Sequence, residues 1–403
     1  MSRPGRLTIV AAMLAGLPAA TADTASEALL PHVGKTLDVI ELGTGRRFVR
    51  PILEKVVVRD DQTASLRIIE EGGRRPVSLL MRGIARVVAD RTTIYEAEVA
   101  GGGARLRGQQ ARQRQAREQA ESRARMEANG VSPWPELSSA EHAAELEALK
   151  AFAARVQKEF AGLELHETHE FLMLTDIPAA EIGPYVASLD SMHDLLCDLY
   201  GIPRGEPVWK GKCLVIAFRR EEDFHAFETR FMRTTIPPGA HGLCHQASDG
   251  RVVMACHRGS DASSFAHMLV HETSHGFNHR WVSPQRLPNW LNEGLAEWVG
   301  TQVVPKSRQV PTKEARARAF MTATGTLGPD FLTATNIQPI QYGIASQLVR
   351  FLIARDRKRF ADFVRGIKEG LTAEASLQAA FDGSLADLIA AFGQASGVPN
   401  LKP

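Results

Sequence analysis

The chain has 403 residues, 44% of them hydrophobic and 23% charged, with a formal net charge of +2. That is enough apolar material for two domains with their own cores, and too small a basic excess for a nucleic-acid partner bound across the whole protein. Beyond the N-terminus no apolar run approaches the roughly eighteen residues of a membrane-spanning helix.

Arg3 and Arg6 precede an apolar run from Leu7 to Leu17, and Ala20-Thr21-Ala22 offers the small residues a signal peptidase requires. Residues 1–22 therefore read as an export signal, leaving a periplasmic or secreted protein with no stable membrane insertion after cleavage. Residues 33–100 follow as short strands at Leu37 to Leu42, Lys55 to Arg59, Ser65 to Glu70, Pro76 to Met81 and Ile84 to Ala89, punctuated by Gly43-Thr44-Gly45 and Gly72-Gly73. That density predicts a small closed barrel, SH3-like or Sm-like in pattern. Lacking interleaved aromatic and basic residues, it reads as a structural or docking module for an envelope partner, not an RNA binder.

Residues 101–165 read as a charged helical linker. Ala104 to Gly130 holds seven arginines against three glutamates, and a helix from Ser139 to Phe160 opens on a Ser-Ser-Ala-Glu capping box. From His166 to residue 397 the order becomes strand (Phe171 to Thr175), helix (Ala179 to Tyr200), strand (Cys213 to Phe218), helix (Glu221 to Phe231), then a hairpin turning at Ser248-Asp249-Gly250 into Val252 to Ala255. Helices alone follow. The four cysteines, Cys197, Cys213, Cys244 and Cys256, form no C-x-x-C pair; cross-links Cys244–Cys256 and Cys197–Cys213 or free buried thiols both fit the sequence.

The helix from about Ser263 to Phe277 carries His271-Glu272-Thr273-Ser274-His275. Residues at i and i+4 face the same way, so His271 and His275 can grip one cation, with Glu272 about 100° round the helix beside it. Asn292-Glu293-Gly294-Leu295-Ala296-Glu297 follows on a second helix, where Pro288 suits the first turn and Gly300 a C-terminal stop. Glu293 is then the third ligand. Two neutral nitrogens and a carboxylate leave a coordination position open, the mark of a catalytic Zn2+ site. Such a metal acidifies a bound water, and Glu272 is placed to take its proton and pass it to a leaving amine. Glu297, one turn beyond Glu293, is a candidate to orient a ligand histidine.

His271 to His275 followed by Trp290-Leu291-Asn292-Glu293-Gly294-Leu295-Ala296-Glu297 resembles the gluzincin metallopeptidases, above all the peptidase MA-like family of exported bacterial proteins. The likeness spans about residues 166–397, including the helix beginning Tyr342-Gly343-Ile344. It implies an α+β, thermolysin-like domain: a small mixed sheet whose edge strand holds extended peptide or protein substrate, the motif helix against it, and a helical subdomain bearing the third ligand. Val252, Val253, Met254 and Ala255 are expected to be that exposed edge. Gluzincins stabilise the oxyanion with a His or Tyr of the helical subdomain. No histidine follows His279 here, and Tyr342 is the sole tyrosine after Tyr200. The aminopeptidase branch's Gly-x-Met-Glu-Asn element is replaced by Gly250-Arg251-Val252-Val253-Met254-Ala255-Cys256, which lacks the acid that would hold a free amine. Together these imply an exported zinc endopeptidase, with an occluded zinc-bearing binding module and an amidase of peptidoglycan cross-links as the alternatives.

Overall fold

The computed structural model describes residues 23–43, 46–59, 62–73, 75–90, 92–97, 117, 119–202 and 206–403. The export signal assigned to residues 1–22 lies outside them. The protein is a mixed α+β structure divided into two compact units, Met1–Gln110 and Ala111–Pro403.

The first unit has a short helix α1 (Asp23–Leu29) and strands β1 (Val39–Leu42), β2 (Arg47–Val49), β3 (Ile52–Arg59), β4 (Gln62–Ile69), β5 (Pro76–Leu80), β6 (Ile84–Ala89) and β7 (Thr92–Glu96). They make two antiparallel sheets, β2-β1-β6-β7 and β3-β4-β5, sharing a core that includes Ile40, Leu53, Leu66, Ile68 and Val87. The expected closed barrel is therefore corrected. After β5 the chain turns through Met81–Gly83, and β6 pairs with β1 instead of with β5. Among the described residues the segment before β1 meets β3 through the isolated bridge between Thr36 and Ile52 and through backbone hydrogen bonds that join Gly34 and Lys35 to Leu53, but no ladder closes the ring. The sequence reading missed β7 and also β2, whose three residues are too few to show an alternating pattern.

The second unit begins with helix α2 (residues 119–128) and α3 (Ser139–Glu159), the latter opened by the expected capping box between Ser138 and Glu141. Next come β8 (Glu164–Glu167), β9 (Phe171–Thr175), α4 (Ala179–Tyr200), β10 (Cys213–Phe218), α5 (Glu221–Phe227) with a π-helical turn at Glu228–Met232, β11 (Gly242–Gln246), β12 (Val252–His257) and α6 (Ala262–Arg280). Helices α7 (Asn289–Val303), α8 (Gln309–Thr324), α9 (Gln341–Arg355), α10 (Arg357–Lys368), α11 (Ala373–Phe381) and α12 (Leu385–Ser396) complete it. The boundary drawn at residue 166 thus falls inside this unit, because α3 is no free linker: Leu149, Ala153 and Val156 pack on the sheet.

The sheet runs β11-β12-β10-β9-β8, parallel at β12-β10-β9 and antiparallel at both ends. Leu172, Leu174, Leu214, Ile216 and Phe218 point to the α3 and α5 face; Phe171, Met173, Val215, Met254 and Cys256 point to the α4 and α6 face. Strands covered on both sides need near-continuous apolar sequence, which β9 and β10 have. The same rule overturns the expectation that Val252 to Ala255 is the exposed edge. This apolar strand lies inside the sheet, paired with β10 on one side and β11 on the other. The edge is the half-buried, more polar β11, Gly242-Leu243-Cys244-His245-Gln246. Gly300 is likewise no helix stop. It lies within α7, where a Cβ would come within 2.3 Å of the His267 ring. Among the described residues no helix is long and apolar enough to cross a membrane.

Candidate metal centre

Helix α6 is anchored by Asp261, whose carboxylate accepts from the Ser264 N–H at 2.6 Å. It presents the His271 and His275 rings 4.9 Å apart at right angles. Helix α7 lies against α6 and brings Glu293 between them: its Oε2 is 3.2 Å from His271 Nε2 and 3.5 Å from His275 Nε2. The close seat of α7 depends on Gly294, since a Cβ there would fall 2.4 Å from the Ala345 carbonyl oxygen of α9.

The donor set fits zinc. Ligand atoms about 2.0–2.1 Å from a tetrahedral Zn2+ lie about 3.3 Å from one another. The two Glu293 contacts bracket that spacing, and one donor atom from each of His271, His275 and Glu293 lies within 4.8 Å of the others. Burial works against charge on His275, but Glu293 foremost overrides it and raises its pKa to about 9. Burial likewise opposes ionisation of Glu293, yet His275 and His271 hold its carboxyl far below the usual range.

Glu272 and Tyr342 share a cavity of about 890 Å³ with the three candidate ligands and with β11 residues Gly242, Cys244 and Gln246. Burial pushes the Glu272 carboxyl up, against the pull of His271 and His275. Tyr342, in the first turn of α9, is half-buried on the cavity wall, and burial followed by the charges of Glu293, Glu272 and Glu297 raises its hydroxyl well above the usual value. Alternation along the β11 ladder is set by the His257 N–H to His241 carbonyl bond at one end and the Ala247 N–H to Arg251 carbonyl bond at the other. It leaves the backbone groups of Gly242, Cys244 and Gln246 on the open edge, facing the cavity they line. A second cavity of about 630 Å³ continues past His275 and shares Cys244, Gln246 and Asn292, so a groove runs along β11 on both sides of the centre.

Glu297 is fully buried behind His271, with Oε1 3.8 Å from His271 Nδ1 and Oε2 3.5 Å from His267 Nε2. Lys313 of α8 forms an ion pair with it, and burial notwithstanding, His267, His271 and Lys313 hold its pKa at about 2. The sequence reading missed His267 and Lys313. The row His267, His271, His275 at successive i+4 steps was a visible signal for the first; for Lys313 only the packing of α8 on α9 brings it near. The Lys313 ammonium also stands 5.5 Å over the Tyr342 ring. All four cysteines are free, and Cys244 faces Met254 across the ladder, leaving Cys256 opposite Gly242.

The chain matches no known protein-family model, and no curated protein is detectably similar to it.

Proposed function

We propose that this protein is an exported zinc metallopeptidase of the gluzincin type, cleaving internal peptide bonds. The observation that carries the reading is the meeting of His271, His275 and Glu293, with the Glu293 carboxylate near tetrahedral ligand spacing from both imidazoles and Glu272 beside them on the wall of a groove bordered by an open sheet edge. An occluded binding module would need neither the groove nor a carboxylate at Glu272.

His271, His275 and Glu293 would hold the zinc, which when bound supplies Lewis acidity, lowering the pKa of water and polarising the scissile carbonyl. Glu272 receives the proton of the attacking water on a carboxylate oxygen. Its burial strengthens it as a base, and it then returns the proton to the leaving amine nitrogen. Tyr342 keeps its proton at neutral pH and can donate that O–H to the developing oxyanion. Glu297, braced by Lys313 and His267, sets the orientation of the His271 ring through its Nδ1 side. The N–H and C=O of Cys244 offer an extended chain the pairing of an added strand.

The test is metal analysis of the purified full chain together with digestion of a degenerate peptide mixture. One zinc per chain and internal cleavage are expected, with cleavage lost and zinc kept in Glu272→Gln. Zinc without cleavage by the wild type would replace this reading with the binding module, and cleavage confined to peptidoglycan fragments would replace it with the amidase.

A further inference from the structure

The groove is electrostatically lopsided. On the side running past Gln246 towards α7, no carboxylate lies among the described residues that line the cavity. The walls there are amides and cations instead. Asn278 is only 2% exposed; its Oδ1 accepts from the Tyr200 hydroxyl at 2.8 Å, while its Nδ2 has no hydrogen-bond partner among the described residues. Asn289 spends its Oδ1 on the Ile337 N–H at 2.8 Å, leaving its own NH2 to donate. The Arg286 guanidinium is exposed on the same wall. Helix α7 points its N-terminus at this space, with Pro288 giving no side-chain cap and no acidic residue in the first turn. A buried unmatched donor is unfavourable, and an uncapped helix start favours an anion.

We propose that this limb of the groove is a carboxylate-binding subsite, so that the protein selects chains carrying an Asp or Glu side chain, or a free C-terminus, on the Gln246 side of the metal centre. Asn289 donates to the carboxylate, the α7 N-terminus stabilises it, and Arg286 supplies the countercharge at the mouth. The inference rests on reading the groove as a peptide-binding site, but its test does not require turnover.

Three degenerate peptide mixtures of equal length serve as probes: one containing Asp and Glu with amidated ends, one with Asn and Gln in their place and amidated ends, and the second again with free C-termini. Their affinities are measured by competition against the zinc-loaded full chain carrying Glu272→Gln, so that nothing is consumed. A preference of about tenfold for a carboxylate-bearing mixture over the amidated Asn/Gln mixture is expected, as for one charge-assisted contact in a partly desolvated site. Arg286→Glu should abolish or invert the preference without changing zinc content, and Arg286→Gln should reduce it. Tighter binding of the first mixture identifies an acidic side chain as the ligand; tighter binding of the third alone identifies a chain terminus. Equal affinity for all three, binding of none, or a preference that survives Arg286→Glu overturns the subsite. A wild-type protein that shows the preference but cleaves nothing removes the peptidase reading and leaves the subsite standing, whereas cleavage without preference removes the subsite alone.

Discussion

Glu293 holds the centre together by satisfying two imidazoles at once, so losing any one of the three donors should be far worse than losing their neighbours. His271→Ala, His275→Ala and Glu293→Ala are each expected to give a zinc-poor protein by elemental analysis, while Glu272→Gln keeps its metal. A His275→Ala protein retaining one tightly held zinc would refute the ligand set. The pKa of about 9 at His275 has a direction to test. In the metal-free protein that imidazole carries a proton at neutral pH, and zinc must displace it. Apparent zinc affinity should therefore rise with pH, by up to about tenfold per unit between roughly pH 6 and 8, with proton release on binding. A flat affinity profile in competitive chelator titrations would contradict it. Tyr342→Phe should lower turnover by roughly 10²-fold with zinc content and KM little changed. A loss expressed only in KM would assign that ring to substrate contact instead.

At the scale of elements, the site is assembled by helices that come closer than side chains normally allow. A Cβ on Gly343 would sit 2.2 Å from the Lys313 carbonyl oxygen, so α9 presses on α8 beside Tyr342 and Lys313. Gly343→Ala should therefore destabilise the second unit by about 1–3 kcal/mol and loosen both residues, read as a lower midpoint in urea together with reduced turnover. Unchanged stability would mean that the two helices can part without penalty. The β11 edge makes a different prediction. Proline at Cys244 removes an N–H that the β12 ladder does not use, and should raise KM while sparing zinc content and fold; proline at Leu243 removes a ladder N–H and should disturb the sheet itself. Equal damage from the two, judged by circular dichroism, would argue against the open-edge alternation.

At the scale of the molecule, every candidate site residue belongs to the second unit, which has cores on both faces of its own sheet. Residues 119–403 expressed alone should fold and bind zinc with the affinity of the full chain; failure to do so would give the first unit a part in folding. The juxtaposition of the candidate ligands was legible in the sequence because a helix imposes a fixed angle between residues: spacing alone brings His271, Glu272 and His275 to one side, and Glu297 one turn from Glu293. The strands β9 and β10 were equally legible, since burial on both faces demands unbroken apolar residues. Long-range arrangement has no such local signature. Strand order depends on which partners meet, so sequence alone placed Val252 to Ala255 at the edge, whereas the hairpin folds β11 outside it. Whether strands close a ring depends on a ladder between residues far apart in the chain, and so the barrel was expected where two sheets stand. His267, Lys313 and the carboxylate-free limb beside α7 acquire their meaning only once α6, α7 and α8 are packed, because a side chain's charge is written in the sequence while its neighbours are not.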